Sequence, residues 1–241
     1  MPNRDREEFR RNAGEFRSKG EAELLSTGAF VDGELVQELA RRGSDLRHGV
    51  NLVCFPTKEI VEQIAAVQRE LSEFEPGQYY YAPQDLHLTL VEVCHSRSEE
   101  EATQIARAIR SLAPALLERQ QAAAVDEAMI ASDARGAAVN FLVCDERLQR
   151  LRTTILEELG RGGVAAASRY PPRSAHVTFL RYVMPLRTPA ARWVELLRRC
   201  RIEAGAPWVL NPVWLTWGAT WYGMESRISR FGPMTVGTSA L

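Results

Sequence analysis

The sequence predicts an α+β fold in which a βαβαβ unit occurs twice and the two copies form lobes around a central cleft. Three observations predict it: the chain nearly repeats itself at one fixed offset, the order of strand and helix patterns is the same in both copies, and the composition is that of a globular protein. Each lobe is expected to carry a mostly antiparallel sheet with helices on its outer side.

The repeat is centred on two of the four histidines. His87 and His176 are 89 residues apart (176 − 87), and five further pairs of identical residues share that offset. These pairs are Val50 and Val139, Asn51 and Asn140, Tyr81 and Tyr170, Pro83 and Pro172, and Thr89 and Thr178. A duplicated unit that brings one His and one Thr from each copy suggests a symmetric site with two acid/base groups.

The elements of each copy follow from hydrophobic period and turn chemistry. The first copy covers about residues 48–131: a strand at 50–55, a helix opened by Pro56-Thr57, the strand 79–93 with the first His/Thr pair, a helix opened by a capping box at Ser98 and Glu101, and a strand near 122–131. The second covers about 137–225: a strand at 137–144, a helix capped by Asp145, the strand 174–184 with the second pair, a helix opened by Thr188-Pro189, and strands near 208–222.

The remaining residues lie outside this bilobal domain of residues 48–225. Residues 1–47 form an N-terminal extension with a short helical stretch from Glu34 to Arg42, and the sequence leaves open whether it packs on the body. Residues 226–241 are expected to form a C-terminal tail.

The composition narrows the classes of function. Of 241 residues, 45% are hydrophobic and 25% charged, which is typical of a globular domain long enough to bury a core. The net charge of −1 argues against bulk binding of nucleic acid through a polybasic tail and favours short ligands. Nine arginines and one acidic residue, Glu195, lie between residues 161 and 201. Arginine favours bidentate phosphate contacts, although a solvated face is an equally simple explanation.

The spacing of the cysteines and the charge of the N-terminus favour a location in the cytoplasm. The four cysteines are widely spaced and form no Cys-x-x-Cys pair. The charged N-terminus does not look like a signal peptide, and no apolar run approaches the roughly 18 residues that span a membrane. We therefore expect a cytoplasmic protein with reduced, mostly buried thiols and no membrane partner.

The two histidines suit phosphodiester chemistry. In a strand, residues two apart point to the same side, so His87 and Thr89 share one face, and the second motif repeats this pattern. Near neutral pH one imidazole can accept a proton from the attacking oxygen while the other donates a proton to the leaving oxygen. The Thr89 and Thr178 hydroxyls can donate hydrogen bonds to the phosphate oxygens. Such a site requires no metal and no cofactor.

These residues resemble the 2H phosphoesterase superfamily, which includes the 2′-5′ RNA ligase-like proteins and RNA cyclic phosphodiesterases. The matches are His87-Leu-Thr89-Leu90 and His176-Val-Thr178-Phe179, and the resemblance covers about residues 48–225. It implies a hydrolase site at the floor of the inter-lobe cleft, with His87, His176, Thr89 and Thr178 as catalytic residues. The implied substrates are a nucleotide or short RNA carrying a 2′,3′-cyclic phosphate or a 2′-5′ or 3′-5′ phosphodiester.

Three further residues are weaker substrate-binding candidates. The resemblance implies a cation shortly after the second motif, where Arg181 stands, but strict strand alternation turns Arg181 away from His176. Glu92 occupies the matching place in the first copy. Trp221 and Tyr222 belong to an aromatic group near the C-terminus that could stack on a base.

Two alternatives stay open at this point. The chain could keep the fold as a binding module for RNA ends or nucleotides without turnover. It could also be a zinc hydrolase that uses His87, Cys94 and His95, although no second clustered ligand pair is present. The sequence does not decide which histidine is the acid, what the exact substrate is, or the oligomeric state.

Overall fold

The computed structural model describes residues 3–166, 175–203, 205–219 and 228–237, and within them it contains six helices and nine strands. The helices are α1 (Asn3–Thr27), α2 (Gly33–Ala40), α3 (Lys58–Phe74), α4 (Glu99–Glu118), α5 (Arg147–Arg161) and α6 (Ala190–Arg199). The strands are β1 (His48–Cys54), β2 (Tyr79–Tyr80), β3 (Leu88–Arg97), β4 (Ala124–Asp133), β5 (Gly136–Val143), β6 (Ala175–Arg181), β7 (Trp208–Val209), β8 (Val213–Ala219) and β9 (Ile228–Met234). The predicted α+β class is confirmed.

All the strands pair antiparallel in a sheet of two halves, as the prediction of two antiparallel lobes required. One half has the order β3-β1-β8-β9, and the other has the order β7-β4-β5-β6, with β2 also pairing with β6. The halves meet where β3 pairs with β6, through the single residue pair Leu88 and Val177. This junction brings the two His/Thr motifs next to each other.

The two copies exchange their last strands, which the sequence pattern did not predict. We expected the strand near 122–131 to close the first lobe, but β4 pairs with β5 in the other half of the sheet. In return β8 pairs with β1 over six residues. The division into lobes near residues 131–137 therefore describes the repeat in sequence, whereas the sheet joins strands of both copies in each half.

The helices also cross between the copies. α3 follows β1 but contacts β6, and α5 follows β5 but contacts β3. Their apolar faces join the core that lies behind the motif strands, where Leu88 and Val177 are fully buried. The core therefore fixes one face of each motif strand and leaves the other face for polar residues.

The N-terminal extension packs on the body and protects an edge strand. Within the described residues, β7 pairs with the first two residues of β4, and α1 contacts that strand as well. Arg10 is paired with Glu127, and a Cβ on Gly20 would collide with the Ser132 carbonyl oxygen. A helix that covers open strand groups prevents pairing with other chains. No helix in the described part of the chain is both long and apolar enough to cross a membrane.

The elements differ from the predictions at several places. The long helix α1 was not predicted, and α5 begins at Arg147 with Glu146, not Asp145, as its N-cap residue and without a side-chain cap. Residues 228–234, which we placed in a C-terminal tail, form β9 and pair with β8. The predicted strand 79–93 is divided into β2, a 3₁₀ turn at Pro83–Asp85 and β3, because Pro83 fixes the backbone for a turn. α6 begins at Ala190 without a side-chain cap, so Thr188 does not cap it, whereas the capping box at Ser98 and Glu101 is confirmed.

Candidate active site

The two motifs face each other across the junction of the sheet. Moving one residue either way from the Leu88–Val177 pair places His87 across from Thr178 and Thr89 across from His176, because antiparallel partners run in opposite directions. The buried face holds Leu88 and Val177, so the four motif side chains share the opposite face, which we call the site face. In regular pairing, opposite residues have Cβ atoms about 4.5–5.5 Å apart and diagonal residues about 7–8 Å. The histidines form a diagonal pair, a spacing that suits one phosphate between them.

A β-bulge directly follows each motif. In β3, Thr89 and Val91 oppose the consecutive residues Val53 and Leu52, so Leu90 is the extra residue. In β6, Thr178 and Leu180 oppose Ala138 and Ala137, so Phe179 is the extra residue. The two bulges are 89 residues apart (179 − 90), which is the offset of the sequence repeat. The duplication therefore extends to an irregularity of the backbone that the residue types in the sequence did not indicate.

The bulge returns Arg181 to the site face. An extra residue shifts strand alternation by one, so the residue three places after Thr178 points to the same side as Thr178. Consistent with this, Phe179 and Leu180 are both fully buried, and Arg181 is near enough that its charge lowers the pKa of His176. Strict alternation had turned Arg181 away, and that expectation is wrong. Arg181 also forms a hydrogen bond with the buried Tyr81, which keeps the guanidinium in place.

Each bulge is held by a polar side chain from a helix of the other copy. Arg152 of α5 is 2% exposed and donates from Nε to the Leu90 carbonyl at 3.0 Å and from Nη2 to the Thr89 carbonyl at 3.1 Å. Gln68 of α3 donates from Nε2 to the Phe179 carbonyl at 2.9 Å and to the Tyr81 carbonyl at 2.9 Å. A bulge leaves ladder groups without strand partners, and these side chains satisfy carbonyl groups there.

The surroundings of the two histidines favour their neutral forms. Burial lowers the pKa of His87, and the charge of Arg230 lowers it further. His87 Nδ1 lies 2.7 Å from the Asp85 carbonyl, which can only accept, so Nδ1–H donates and Nε2 is left for proton exchange. His176 keeps part of its surface exposed to solvent, and desolvation by the surrounding protein lowers its pKa. The charges of Arg152 and Arg181 act in the same direction.

The other predicted residues have mixed outcomes. Trp221 and Tyr222 lie outside the described residues, as do Tyr170 and Pro172. Val50-Asn51 and Val139-Asn140 are matched in sequence but are not equivalent in the sheet, since Asn140 opposes His176 whereas Asn51 opposes Glu92.

The zinc alternative receives no support from the arrangement of the ligand types. In the ranges that the structure describes, no group of three or more His, Cys, Asp and Glu side chains could hold a metal ion. Cys94 is buried, and it points away from His95 because neighbouring strand residues project to opposite faces.

Sequence reasoning missed four residues at or behind the site. Arg152 and Gln68 each interrupt the apolar stripe of an amphipathic helix, four residues after Leu148 and Ile64 respectively. A polar residue in a buried stripe was the signal that could have revealed them. Arg230 and Phe55 come from elements near His87 and had no such signal, because their positions depend on how β9 and β1 pair.

Comparison with known proteins identifies solved structures that have a similar fold. The sequence matches no protein-family model and no curated protein. Among solved structures, TT0787 of Thermus thermophilus matches with a TM-score of 0.52 and 17% identity over 78% of this chain and 97% of that chain. E. coli LigT matches in its apo form (TM-score 0.48, 20% identity, 78% and 95% covered) and in complex with 3′-AMP (TM-score 0.47, 16% identity, 77% and 96% covered). This chain therefore shares the fold of TT0787, and the α+β fold that the sequence predicted is confirmed.

Proposed function

We propose that the protein is a phosphodiesterase that works without a metal on RNA ends or small nucleotides in the cytoplasm. The preferred substrates carry a 2′,3′-cyclic phosphate or a 2′-5′ linkage. One observation carries the proposal. The register about Leu88 and Val177 puts the two His/Thr motifs side by side on one face of the sheet, with His87 and His176 diagonal to each other.

The chemistry follows from that arrangement. One histidine, in its neutral form, removes a proton from the attacking water. The other gives a proton to the leaving oxygen, and the negative charge of the bound phosphate favours its protonated form against the effect of burial. The P–O bond to water forms as the P–O bond to the leaving oxygen breaks, and one proton is taken up and one released. Thr89 and Thr178 donate hydrogen bonds to the non-bridging oxygens, and Arg181 balances their charge.

The test is hydrolysis of 2′,3′-cyclic AMP with EDTA present. We expect turnover in the wild type, and a loss of about 10²- to 10⁴-fold in kcat for His87→Ala and for His176→Ala. His48→Ala is the matched control. His48 Nδ1 also lies near the carbonyl two residues before it, at 2.9 Å from the Leu46 oxygen, but the residue stands at the far end of β1.

Each alternative has its own outcome. Tight nucleotide binding without turnover in the wild type would support the binding module. Activity that EDTA abolishes and that also requires His95 would support the zinc hydrolase. Undiminished turnover in both His87→Ala and His176→Ala would refute the two-histidine mechanism.

A further inference from the structure

The motif strand that follows His87, β3, lacks the cation that the other motif strand, β6, has. Arg181 lies three residues beyond Thr178 on the site face, and Glu92 occupies the equivalent place beyond Thr89. A carboxylate there would repel a phosphate rather than bind it. If the site grips a phosphate from both sides, a cation must come from another element.

β9 supplies such a cation. Arg230 opposes Thr216, which in turn opposes Asn51, and Asn51 opposes Glu92. The four residues form one row across β9, β8, β1 and β3, so Arg230 lies on the site face with the motif side chains.

The guanidinium of Arg230 is directed along the sheet to His87. It lies 4.7 Å from the centre of the Phe55 ring, and continuing the Cys54–Leu88 register by one residue places Phe55 across from His87. Arg230 Nη2 also donates to the Gln84 carbonyl at 3.2 Å, three residues before His87. One ring face and one carbonyl therefore fix the plane of the guanidinium beside the histidine.

The guanidinium of Arg230 has more N–H donors than these two contacts use. Guanidinium has five N–H donors in a rigid fork, and stacking on an aromatic ring leaves its edge available. Arg230 is exposed, and in the part of the chain that the structure describes its side chain donates one hydrogen bond, to the Gln84 carbonyl. This is the geometry with which arginine binds phosphate oxygens through two parallel hydrogen bonds.

We propose that Arg230 binds the phosphate group of the substrate from the His87 side of the site, and so takes the place that Glu92 leaves without a cation. The inference rests on the proposed phosphodiesterase function. It makes β9, which the sequence repeat does not include, a part of the substrate-binding surface.

The test compares Arg230→Gln with Arg110→Gln. Arg110 lies 4.5 Å from the centre of the Phe231 ring, so it makes the same kind of contact with the neighbouring residue of β9, but on the opposite face of the sheet. We expect Arg230→Gln to lower kcat/KM for 2′,3′-cyclic AMP by about 10- to 100-fold and to weaken inhibition by inorganic phosphate to a similar extent. Arg230→Lys should recover part of both, since it keeps the charge but not the fork. Arg110→Gln should behave as the wild type.

The outcomes separate this inference from the proposed function. If Arg230→Gln retains the phosphate inhibition constant and kcat/KM of the wild type while the histidine variants are inactive, the inference is overturned and the phosphodiesterase stands. Equal losses in Arg230→Gln and Arg110→Gln would also overturn it, because they would show general damage to β9. Activity in the histidine variants would instead overturn the proposed function.

Discussion

Replacing Arg152 by Met tests whether a buried cation both supports the first bulge and tunes a histidine of the other copy. Methionine keeps much of the apolar stem and removes the guanidinium. The substitution leaves the carbonyls of Thr89 and Leu90 without the donors that now lie 3.1 and 3.0 Å away. It also removes a positive charge that lowers the pKa of His176.

The expected loss of stability follows from those two carbonyls. Each acceptor left buried without a donor costs about 1–3 kcal/mol. Relief from burying a cation offsets part of that cost, and the offset is real here because burial lowers the pKa of Arg152 itself to about 10. We expect a net destabilisation of about 2–4 kcal/mol, which corresponds to a fall in Tm of about 5–15 °C for a chain of this size.

Gln68→Met is the matched control for charge. Gln68 also donates to two carbonyls, those of Tyr81 and Phe179, both at 2.9 Å, but it carries no charge. Both variants should melt earlier, whereas the pKa of His176 should rise only in Arg152→Met. The measurements are thermal melting and NMR titration of the His176 imidazole, neither of which depends on activity. A His176 pKa unchanged in Arg152→Met would refute the electrostatic reasoning, and an unchanged Tm would refute the anchoring role.

Two further outcomes are expected. Gly20→Ala should destabilise the protein by about 1–3 kcal/mol, because its Cβ would meet the Ser132 carbonyl oxygen. In Gly14→Ala, in the same helix, the added Cβ meets nothing within 4 Å, so this variant should be neutral or stabilising by up to about 1 kcal/mol. Equal melting temperatures for the two variants would contradict the contact between α1 and β4. The free energy of unfolding should have its full value above about pH 6.5 and decrease as the pH falls below it. The reason is that the pKa values of His87 and His176 are lowered in the folded state, so the unfolded chain takes up protons at a higher pH than the folded chain does. Urea unfolding at pH 7.5 and 5.5 measures this, and a double variant with Gln at both positions should show a weaker dependence.

Much of the local structure could be predicted because short-range rules decide it. The stripe from Ile60 to Leu71 became the buried face of α3, and the Ser98 capping box opens α4. The side of the strand on which His87 and Thr89 lie also follows from period-two alternation, since Leu88 and Leu90 must be buried.

Pairing between distant strands could not be predicted from the same rules. Nothing in the residues of β4 states whether it closes its own lobe or the other one, because both sheet halves offer it an apolar face. The bulges at Leu90 and Phe179 escaped for a related reason: both residues are ordinary apolar strand formers, and the irregularity exists only relative to the partner strand. The position of Arg181 depends on that irregularity, and so it could not be derived from alternation.

The duplication preserves backbone geometry more closely than it preserves charge. The bulges recur at the same offset as the motifs, yet the residue two places after the extra residue is Glu92 in one copy and Arg181 in the other. The side chains that donate to the carbonyls of the two bulges also differ, being Arg152 in one case and Gln68 in the other. His176 therefore lies among two cations that belong to its own copy, whereas the cation beside His87 comes from β9. A phosphodiester has two different ends, the attacked side and the leaving side. A site with symmetric histidines but unequal surroundings can bind those ends in one direction, and a strict two-fold site could not.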